Sequence, residues 1–170
     1  MTTNKAFLPA EWYEQRFVQL TWPHADTDWA PYLKEITLTL VAITRAITCY
    51  EDLVIASQTP DDTRAALQSA LTAQQMERVT IVECQTNDTW ARDHAFITTR
   101  DNKGNKLIND FCFNGWGLKF AANYDNLINR KFRDYQVAHP LPENECPVSD
   151  FFAKSIYVDN LDIVLEGGSI

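Results

Sequence analysis

The sequence predicts an α/β fold, or an α+β fold as the alternative, with a mixed sheet in a single domain that spans residues 1–170. Three observations support this prediction. Short runs rich in strand formers alternate with segments whose apolar residues recur at helical spacing. A polar, glycine-containing segment near the middle predicts a hairpin. Finally, 170 residues that are 45% hydrophobic suffice for one core of ordinary size.

The first strand and helix are predicted from two contrasting patterns. Residues 16–22 alternate between apolar and polar types, which is typical of a strand. From Leu33 to Ile47, apolar residues recur at spacings of three and four, which indicates one buried helical face. Pro31 lies near the first helical turn, where a missing N–H costs nothing, and Asp28 is predicted as the N-cap.

A second strand, helix and strand are predicted next. Residues 53–56 form a short apolar run typical of a buried strand. Thr59 is the predicted cap of a helix that has Pro60 at its first position and runs to about Gln75. Residues 79–84 then favour a strand. Strand and helix therefore alternate through this half of the chain.

The second half begins with the predicted hairpin. Residues 95–99 and 106–111 flank a polar turn that contains Gly104. Beyond it the pattern predicts a helix at 125–135, a surface loop at 139–148, and two strands at 156–158 and 163–165. The last residues are expected to make a glycine turn and to begin another strand.

The charge balance disfavours some classes of partner. The formal net charge is −8, whereas nucleic acids and anionic membrane surfaces call for a basic patch. A charged ligand would therefore more readily be a cation. No apolar run reaches the ~18 residues of a membrane span, and no apolar signal segment precedes Pro9. We expect a soluble, cytoplasmic protein.

The four cysteines fit neither a disulfide framework nor a Cys-x-x-Cys metal site. They are Cys49, Cys84, Cys112 and Cys146. The first three adjoin apolar runs, so buried structural thiols are the favoured interpretation. None has a basic neighbour close in sequence that would lower its pKa.

The most unusual segment is N-D-T-W-A-R-D-H, Asn87 to His94, which we call the octet. It is predicted to lie in a loop between two strands, where binding residues are often carried. A carboxylate at Asp93 beside the indole of Trp90 suits a planar cation such as a guanidinium. The alternative is structural: Arg92 pairs with Asp88, Asp93 caps a turn and Trp90 is core.

Three further clusters have both a functional and a structural interpretation. In Asp110–Gly117 two glycines bracket Trp116, which permits positive φ or a close approach to a ligand, or simply an aromatic turn. Glu166 leaves an apolar strand into a double glycine, where it could act in acid–base chemistry or only precede a turn. His24–Asp28 is predicted as a loop and helix cap, not as a metal loop.

Taken in order, the motifs resemble the agmatine deiminase and bacterial-type peptidylarginine deiminase family. The segments are Leu8–Trp12, Leu20–His24, Asn87–His94, Asp110–Phe120 and Leu165–Gly168. The resemblance implies a pentein β/α-propeller built of ββαβ modules, of which this chain covers about two. It also implies hydrolysis of a guanidinium to a ureido group and ammonia by a cysteine thiolate, without metal or organic cofactor.

The resemblance also assigns roles to four residues. Asp93 resembles the carboxylate that grips the guanidinium, and Trp90 a wall of the same pocket. Glu166 resembles the acid that orients the catalytic histidine, and Trp116 a pocket-shaping residue. Asp93 and Glu166 are thus the catalytic candidates, and Trp90, Asp93 and Trp116 the substrate-binding ones.

The implied substrate is a small cationic guanidino compound, and agmatine, converted to N-carbamoylputrescine in putrescine biosynthesis, is the leading candidate. Peptidyl or free arginine is the alternative within the family. A non-catalytic guanidinium-binding module is the alternative from another class. A homo-oligomer is compatible with each of these.

The sequence departs from the family pattern in one respect. The pattern continues to a His-x-Asp pair and a nucleophilic cysteine, and neither has a counterpart here. Only His24 is followed two residues later by an aspartate, and it lies in the N-terminal loop. We therefore expect this chain to be the N-terminal portion of a deiminase domain and to be inactive alone.

Overall fold

A computed structural model describes residues 5–138 and 151–170 and confirms the mixed α/β class. The strands of the described residues are β1 (Ala6–Phe7), β2 (Phe17–Thr21), β3 (Asp52–Ser57), β4 (Val79–Glu83), β5 (Ile97–Asp101), β6 (Lys106–Cys112) and β7 (Ser155–Val164). They form two separate sheets.

The helices vary widely in length. They are α1 (Leu33–Ile47), α2 (Pro60–Gln68), α3 (Ala73–Glu77), the one-turn α4 (Ala91–His94), the one-turn α5 (Gly115–Leu118) and α6 (Asp125–Ala138). Two 3₁₀ turns, Ala30–Tyr32 and Gly167–Ser169, complete the described elements. Of the helices in these residues, none combines the length and apolar character needed to cross a membrane.

The first sheet is parallel and has the order β2-β3-β4. Helix α1 connects β2 to β3, while α2 and α3 connect β3 to β4. The strand β3 is central and buried on both faces, as parallel strands between helices usually are.

The second sheet has the order β1-β5-β6-β7. Strands β5 and β6 form the predicted antiparallel hairpin. In its turn, Asp101 Oδ1 accepts hydrogen bonds from Lys103 N (2.8 Å) and Asn105 N (2.9 Å). Strands β6 and β7 are parallel and α6 connects them, so β5, β6, α6 and β7 follow one another as strand, strand, helix and strand.

Helix α6 lies between the two sheets and supplies part of the core. The side chains of β3 alternate between two apolar clusters, as the pleat requires. Leu53 and Ile55 belong to the cluster shared with α1 and α2. Val54 and Ala56 belong to the other, which includes Phe132 of α6. This second cluster joins the parallel sheet to the mixed one.

The predicted second helix is wrong beyond Gln68, where α2 ends. A new helix, α3, begins because Thr72 and Gln75 form a capping box. Thr72 Oγ1 accepts from Gln75 N (3.3 Å), and Gln75 Oε1 accepts from Thr72 N (3.2 Å). Thr59 precedes Pro60 as predicted, but its side chain makes no cap hydrogen bond.

The predicted cap of α1 is also wrong. Helix α1 follows the 3₁₀ turn Ala30–Tyr32, whose N-cap is Trp29, and Asp28 is exposed. The hydroxyl of Thr27 accepts from Trp29 N (3.3 Å) instead. The carboxylate of Asp28 is therefore not needed to accept a hydrogen bond at the start of this turn.

The two strands predicted near the end are one strand, β7, with an irregularity. Its register shifts opposite Phe111 and Cys112, where Asp159 Oδ1 accepts from Leu161 N (3.1 Å) and supports a bulge. The expected new strand is instead the 3₁₀ turn Gly167–Ser169. The predicted loop 139–148 lies outside the described residues.

The cysteines agree only in part with the expectation of burial. Cys84 is buried, as predicted, and Cys112 is half-buried. Cys49 is exposed, so that prediction is wrong. It lies just beyond the end of α1, where its thiol donates to Arg45 O (3.3 Å). Cys146 lies outside the described residues.

The two candidate caps can be compared by mutation. Because Thr72 makes a reciprocal cap and Thr59 makes none, Thr72→Ala should lower the free energy of unfolding by about 1 kcal/mol. Thr59→Ala, the matched control, should cost clearly less. Urea unfolding of both variants tests this, and equal losses would contradict the assigned helix start.

Candidate active site

The candidate residues lie on segments that follow the carboxyl ends of parallel strands. The octet comes after β4, the segment with Trp116 after β6, and Glu166 after β7. Ligands of open parallel sheets usually bind at this edge. Contacts between these segments, rather than sequence proximity, assemble the site.

The octet is a loop that contains the single helical turn α4. Asp93 N donates to Trp90 O (3.0 Å), and Ala95 N donates to Ala91 O (2.9 Å). One turn is too short to be stable alone, since helix nucleation is unfavourable. The position of α4 is therefore set by contacts with the rest of the molecule.

The start of the octet is held by the first residue of α6. The backbone N of Asn87 donates to Asp125 Oδ1 (2.7 Å). In return, Asn87 Oδ1 accepts from Tyr124 N (2.7 Å) and Asp125 N (3.2 Å). Burial raises the pKa of Asp125 to about 6, although the backbone N–H groups of Asn87 and Asp88 oppose this rise.

The C-terminal turn packs directly against α4. Gly167 is buried, and a Cβ atom built on it would lie 2.1 Å from Arg92 O. Only glycine permits this close approach. Arg92 Nη2 also donates to Ile170 O (2.9 Å). The segment with Asp93 and the segment with Glu166 are therefore in contact.

The carboxyl groups of Asp93 and Glu166 both border Gly168. A Cβ built there would lie 3.2 Å from Asp93 Oδ1 and 3.2 Å from Glu166 Oε1. Burial raises the pKa of Asp93, the nearby negative charge of Glu166 raises it further, and Arg92 opposes the rise. Two like charges in one place favour a bound cation.

Trp90 lies shortly before Asp93 in sequence and presents its indole to the solvent, since 52% of its surface is exposed. Its ring centroid lies 6.4 Å from that of Trp29. Trp29 Nε1 donates to Thr89 Oγ1 (2.8 Å), which ties the loop after β2 to the octet. Sequence reasoning missed Trp29. Its place shortly after a parallel strand was the available signal.

Trp116 lies in a strained turn, and both flanking glycines have the predicted positive φ. Gly115, Trp116, Gly117 and Leu118 have φ values of 62°, 55°, 78° and 65°. Left-handed backbone costs non-glycine residues roughly 1 kcal/mol or more each. The indole packs edge-on between Phe113 and Phe120, at centroid distances of 5.2 and 5.6 Å. The aromatic rings that Trp116 contacts in the described residues are therefore those of its own segment, and not the ring of Trp90 near Asp93.

Comparison with known proteins identifies the family. The sequence profile of Porphyromonas-type peptidyl-arginine deiminases matches residues 7–170. The chain belongs to this family. It is 30% identical over 172 residues to an agmatine deiminase of Pseudomonas syringae pv. syringae, and the alignment covers 96% of this chain and 40% of that protein.

Two solved structures are similar to the fold. The agmatine deiminase of C. jejuni with substrate bound has a TM-score of 0.76 and 29% identity, covering 100% of this chain and 44% of that one. A Porphyromonas gingivalis protein provisionally named arginine deiminase has a TM-score of 0.72 and 38% identity, covering 96% and 43%. The chain thus spans about two fifths of the length of these relatives.

Both described histidines and Cys84 of this deiminase-family chain are poorly placed for proton transfer or nucleophilic attack because they are buried. His94 is 3% exposed, and burial lowers its pKa to about 4, so it stays neutral near pH 7. His24 is also buried, with its ring bonded to Thr86 Oγ1 (3.0 Å). Burial raises the pKa of Cys84 to about 12.

Two cavities of opposite charge flank the octet. One, of about 470 Å³, is lined by the acids Asp26, Asp28 and Asp88 and by Phe120 and Tyr124. The other, of about 530 Å³, is lined by the acids Glu11 and Glu14 and by five cationic side chains, Arg16, Arg92, Arg100, Lys106 and Lys154. Over residues 5–138 and 151–170, no three metal-ligating side chains converge to hold a metal ion.

The close approach at Gly167 predicts a large mutational effect. Gly167→Ala should lower the free energy of unfolding by about 3 kcal/mol, because its methyl group would overlap a backbone oxygen. Gly168→Ala is the matched control and should cost about 1 kcal/mol or less, since its methyl group would meet only side-chain oxygens. Urea unfolding measures both, and a tolerated Gly167→Ala would contradict the packing of α4.

Burial of His94 predicts acid sensitivity. Below about pH 6.5 the unfolded histidine binds a proton that the folded one, with its pKa of about 4, does not. The free energy of unfolding should therefore fall by ~3 kcal/mol between about pH 6.5 and 4. His94→Asn should remove this slope, as measured by urea unfolding across that range.

Asp125 should change the free energy of unfolding with pH in the direction opposite to His94, which provides a check on that prediction. Its raised pKa means that stability is lost as pH rises from about 4 to 6. In the unmodified protein, the pH dependences caused by His94 and Asp125 partly cancel. Each contribution is therefore obtained by subtracting the free energy of unfolding of His94→Asn, or of Asp125→Asn, from that of the unmodified protein at each pH. If both difference curves changed with pH in the same direction, the environments assigned to His94 and Asp125 would be wrong.

Proposed function

We propose that the whole protein is a guanidine deiminase that hydrolyses agmatine to N-carbamoylputrescine and ammonia. The observation that carries this proposal is the pair of carboxyl groups, Asp93 and Glu166, that border Gly168 next to the exposed Trp90 segment. The names of the relatives support the same reaction class.

In the proposed complex, Asp93 accepts hydrogen bonds from the substrate guanidinium. A planar guanidinium can donate two parallel N–H bonds to one carboxylate, which fixes both its position and its plane. Trp90 forms a wall of the pocket and stabilises the cation through its π-face. Binding of the cation would lower the pKa of Asp93 again, since it offsets the repulsion from Glu166.

In the proposed reaction, a cysteine thiolate adds to the guanidinium carbon, and the carbon–nitrogen bond to the leaving ammonia breaks. Water then attacks the covalent intermediate and releases the ureido product and the thiolate. Glu166 orients the histidine that moves protons in these steps. The proposal assigns neither the nucleophile nor this histidine to a residue of the present sequence.

We further propose that residues 1–170 supply about two of the modules of a pentein propeller, and therefore only one side of the site. The succession of β5, β6, α6 and β7 supports this, because it has the order of a ββαβ module. A chain limited to these residues is expected to bind a guanidinium weakly and to be inactive. Trp116 shapes the pocket rather than taking part in the chemistry.

The two charged cavities bear on the substrate. Agmatine ends in an ammonium group, which suits the cavity lined by Asp26, Asp28 and Asp88. Free arginine ends in a carboxylate and an ammonium, and its carboxylate would suit the cationic cavity beside Arg92. That second cavity is the specific observation that favours an arginine-type substrate. We propose agmatine because agmatine deiminases of Pseudomonas syringae pv. syringae and C. jejuni are among the similar proteins.

The experiment that tests the function measures kcat and KM of the whole protein on agmatine, free arginine and a blocked arginine peptide. Asp93→Asn should lower kcat/KM on agmatine by about 100- to 1000-fold, because the charge that stabilises the guanidinium is lost. Asp134→Asn makes the same chemical change at an exposed carboxylate of α6 and should leave activity unchanged.

Each outcome distinguishes the alternatives. A higher kcat/KM on free arginine or on the arginine peptide would show that the substrate is not agmatine, although the reaction would still be deimination. Binding of agmatine without ammonia release would favour the non-catalytic module. Near-normal activity of Asp93→Asn would refute the assignment of the octet.

A further inference from the structure

Asn129 is a buried amide in the middle of α6, and it binds the backbone just after Asp93. It is 1% exposed. Its Nδ2 donates to His94 O (3.0 Å), and its Oδ1 accepts from Phe96 N (3.2 Å). These two peptide groups lie on either side of Ala95. One side chain therefore fixes the exit of the backbone from α4.

The other end of the octet is held by the same face of α6. Asp125 accepts from Asn87 N, and Asp125 and Asn129 are four residues apart, so their side chains lie on one face of the helix. Because α4 has a single turn, these two attachments help to determine its orientation, together with its contact with the turn at Gly167.

Asp110 determines which way the Asn129 amide faces. Its Oδ1 accepts from Asn129 Nδ2 (2.6 Å), and its Oδ2 accepts from the Tyr157 hydroxyl. Since carboxylate oxygens accept and an amide Nδ2 donates, the Oδ1 atom of Asn129 is left for Phe96 N. Tyr157 belongs to β7, the strand that leads to Glu166. The network thus contacts the elements that carry both candidate carboxylates.

We propose that Asn129 is a positioning residue for Asp93. Its hydrogen bonds to His94 O and Phe96 N set the direction in which Asp93 presents its carboxylate to a guanidinium, and Asp110 holds the amide in the required orientation. The proposal rests on the proposed function, in which Asp93 binds the substrate. Asn129 itself touches neither Asp93 nor the reacting atoms in this assignment.

A reciprocal exchange of Asp110 and Asn129 isolates one bond of this network. In Asp110→Asn/Asn129→Asp, the amide at 110 donates to the carboxylate at 129, which still accepts from Phe96 N. The amide oxygen at 110 still accepts from Tyr157. The bond to His94 O is lost and two oxygen atoms face each other there, because a carboxylate at 129 has no N–H to donate.

The exchange variant should keep more of the thermal stability than Asn129→Asp alone and lose about 100-fold in kcat on agmatine, the loss expected from a misaligned catalytic group. Asn129→Asp alone should lose both stability and activity, since two buried carboxyl groups would face each other. If the exchange variant recovers both Tm and kcat, the bond to His94 O does not position Asp93 and the proposal is overturned.

A control variant and a milder substitution cover the case in which the exchange variant does not fold. Thr48→Val removes a buried hydroxyl that donates to Thr44 O (2.8 Å) at the end of α1, so it should lower Tm without changing kcat. Asn129→Ser should lower kcat far more than Thr48→Val at a similar loss of Tm. Equal effects on kcat would overturn the proposal.

A measurement that does not depend on enzymatic activity tests this inference separately from the proposed function. The pKa of the Asp93 carboxyl, followed by NMR in the whole protein, reports both its burial and its proximity to Glu166. It should move toward the ordinary aspartate value in the exchange variant and stay unchanged in Thr48→Val. If the unmodified protein deiminates neither agmatine nor arginine, the proposed function fails, and this titration still decides the role of Asn129.

Discussion

Hydrogen bonds from one face of α6 to the backbone of neighbouring loops hold the candidate site together. Asp125 binds the start of the octet at Asn87, and Asn129 binds its end. Asn126 holds the segment after β6, because it accepts from Phe113 N (2.8 Å) and donates to Phe113 O (2.7 Å). The one-turn elements α4 and α5 could not keep their geometry alone. Their positions therefore depend on α6, which is packed in the core between the two sheets, and α4 depends on the turn at Gly167 as well.

The electrostatics of the site follow from this enforced geometry. The contact of Gly167 with Arg92 O brings two segments close enough for Asp93 and Glu166 to share the space around Gly168. Without a ligand, their mutual repulsion and partial burial disfavour the charged form of Asp93. A bound guanidinium would relieve that repulsion. The repulsion between the two carboxylates is therefore offset by the free energy of folding, and the site is arranged before the substrate binds.

Sequence patterns predicted the regular elements well and their interruptions poorly. Helix α1 and strand β3 were predicted because their apolar periodicity is strong. The break between α2 and α3 was missed because Thr72 and Gln75 continue a helical composition while forming a new cap. The candidate carboxylates were singled out from their sequence context, Asp93 beside Trp90 and Glu166 before a double glycine, and the family resemblance then assigned their roles. Asn129 was not identified at all, since a helical asparagine gives no sequence signal that its amide binds a distant loop.

The burial of Asn129 shows why such residues combine stability with site geometry. Asparagine is a poor helix former, and a buried amide without partners would cost about 1–3 kcal/mol. Here both of its N–H groups and its oxygen are bonded, and its partner Asp110 is satisfied by Tyr157 as well. An apolar residue could fill the same volume, but it could not fix the direction of a peptide group. Hydrogen bonds are directional and apolar contacts are not, so this polar network adds a constraint on the orientation of α4 that the packing at Gly167 does not supply.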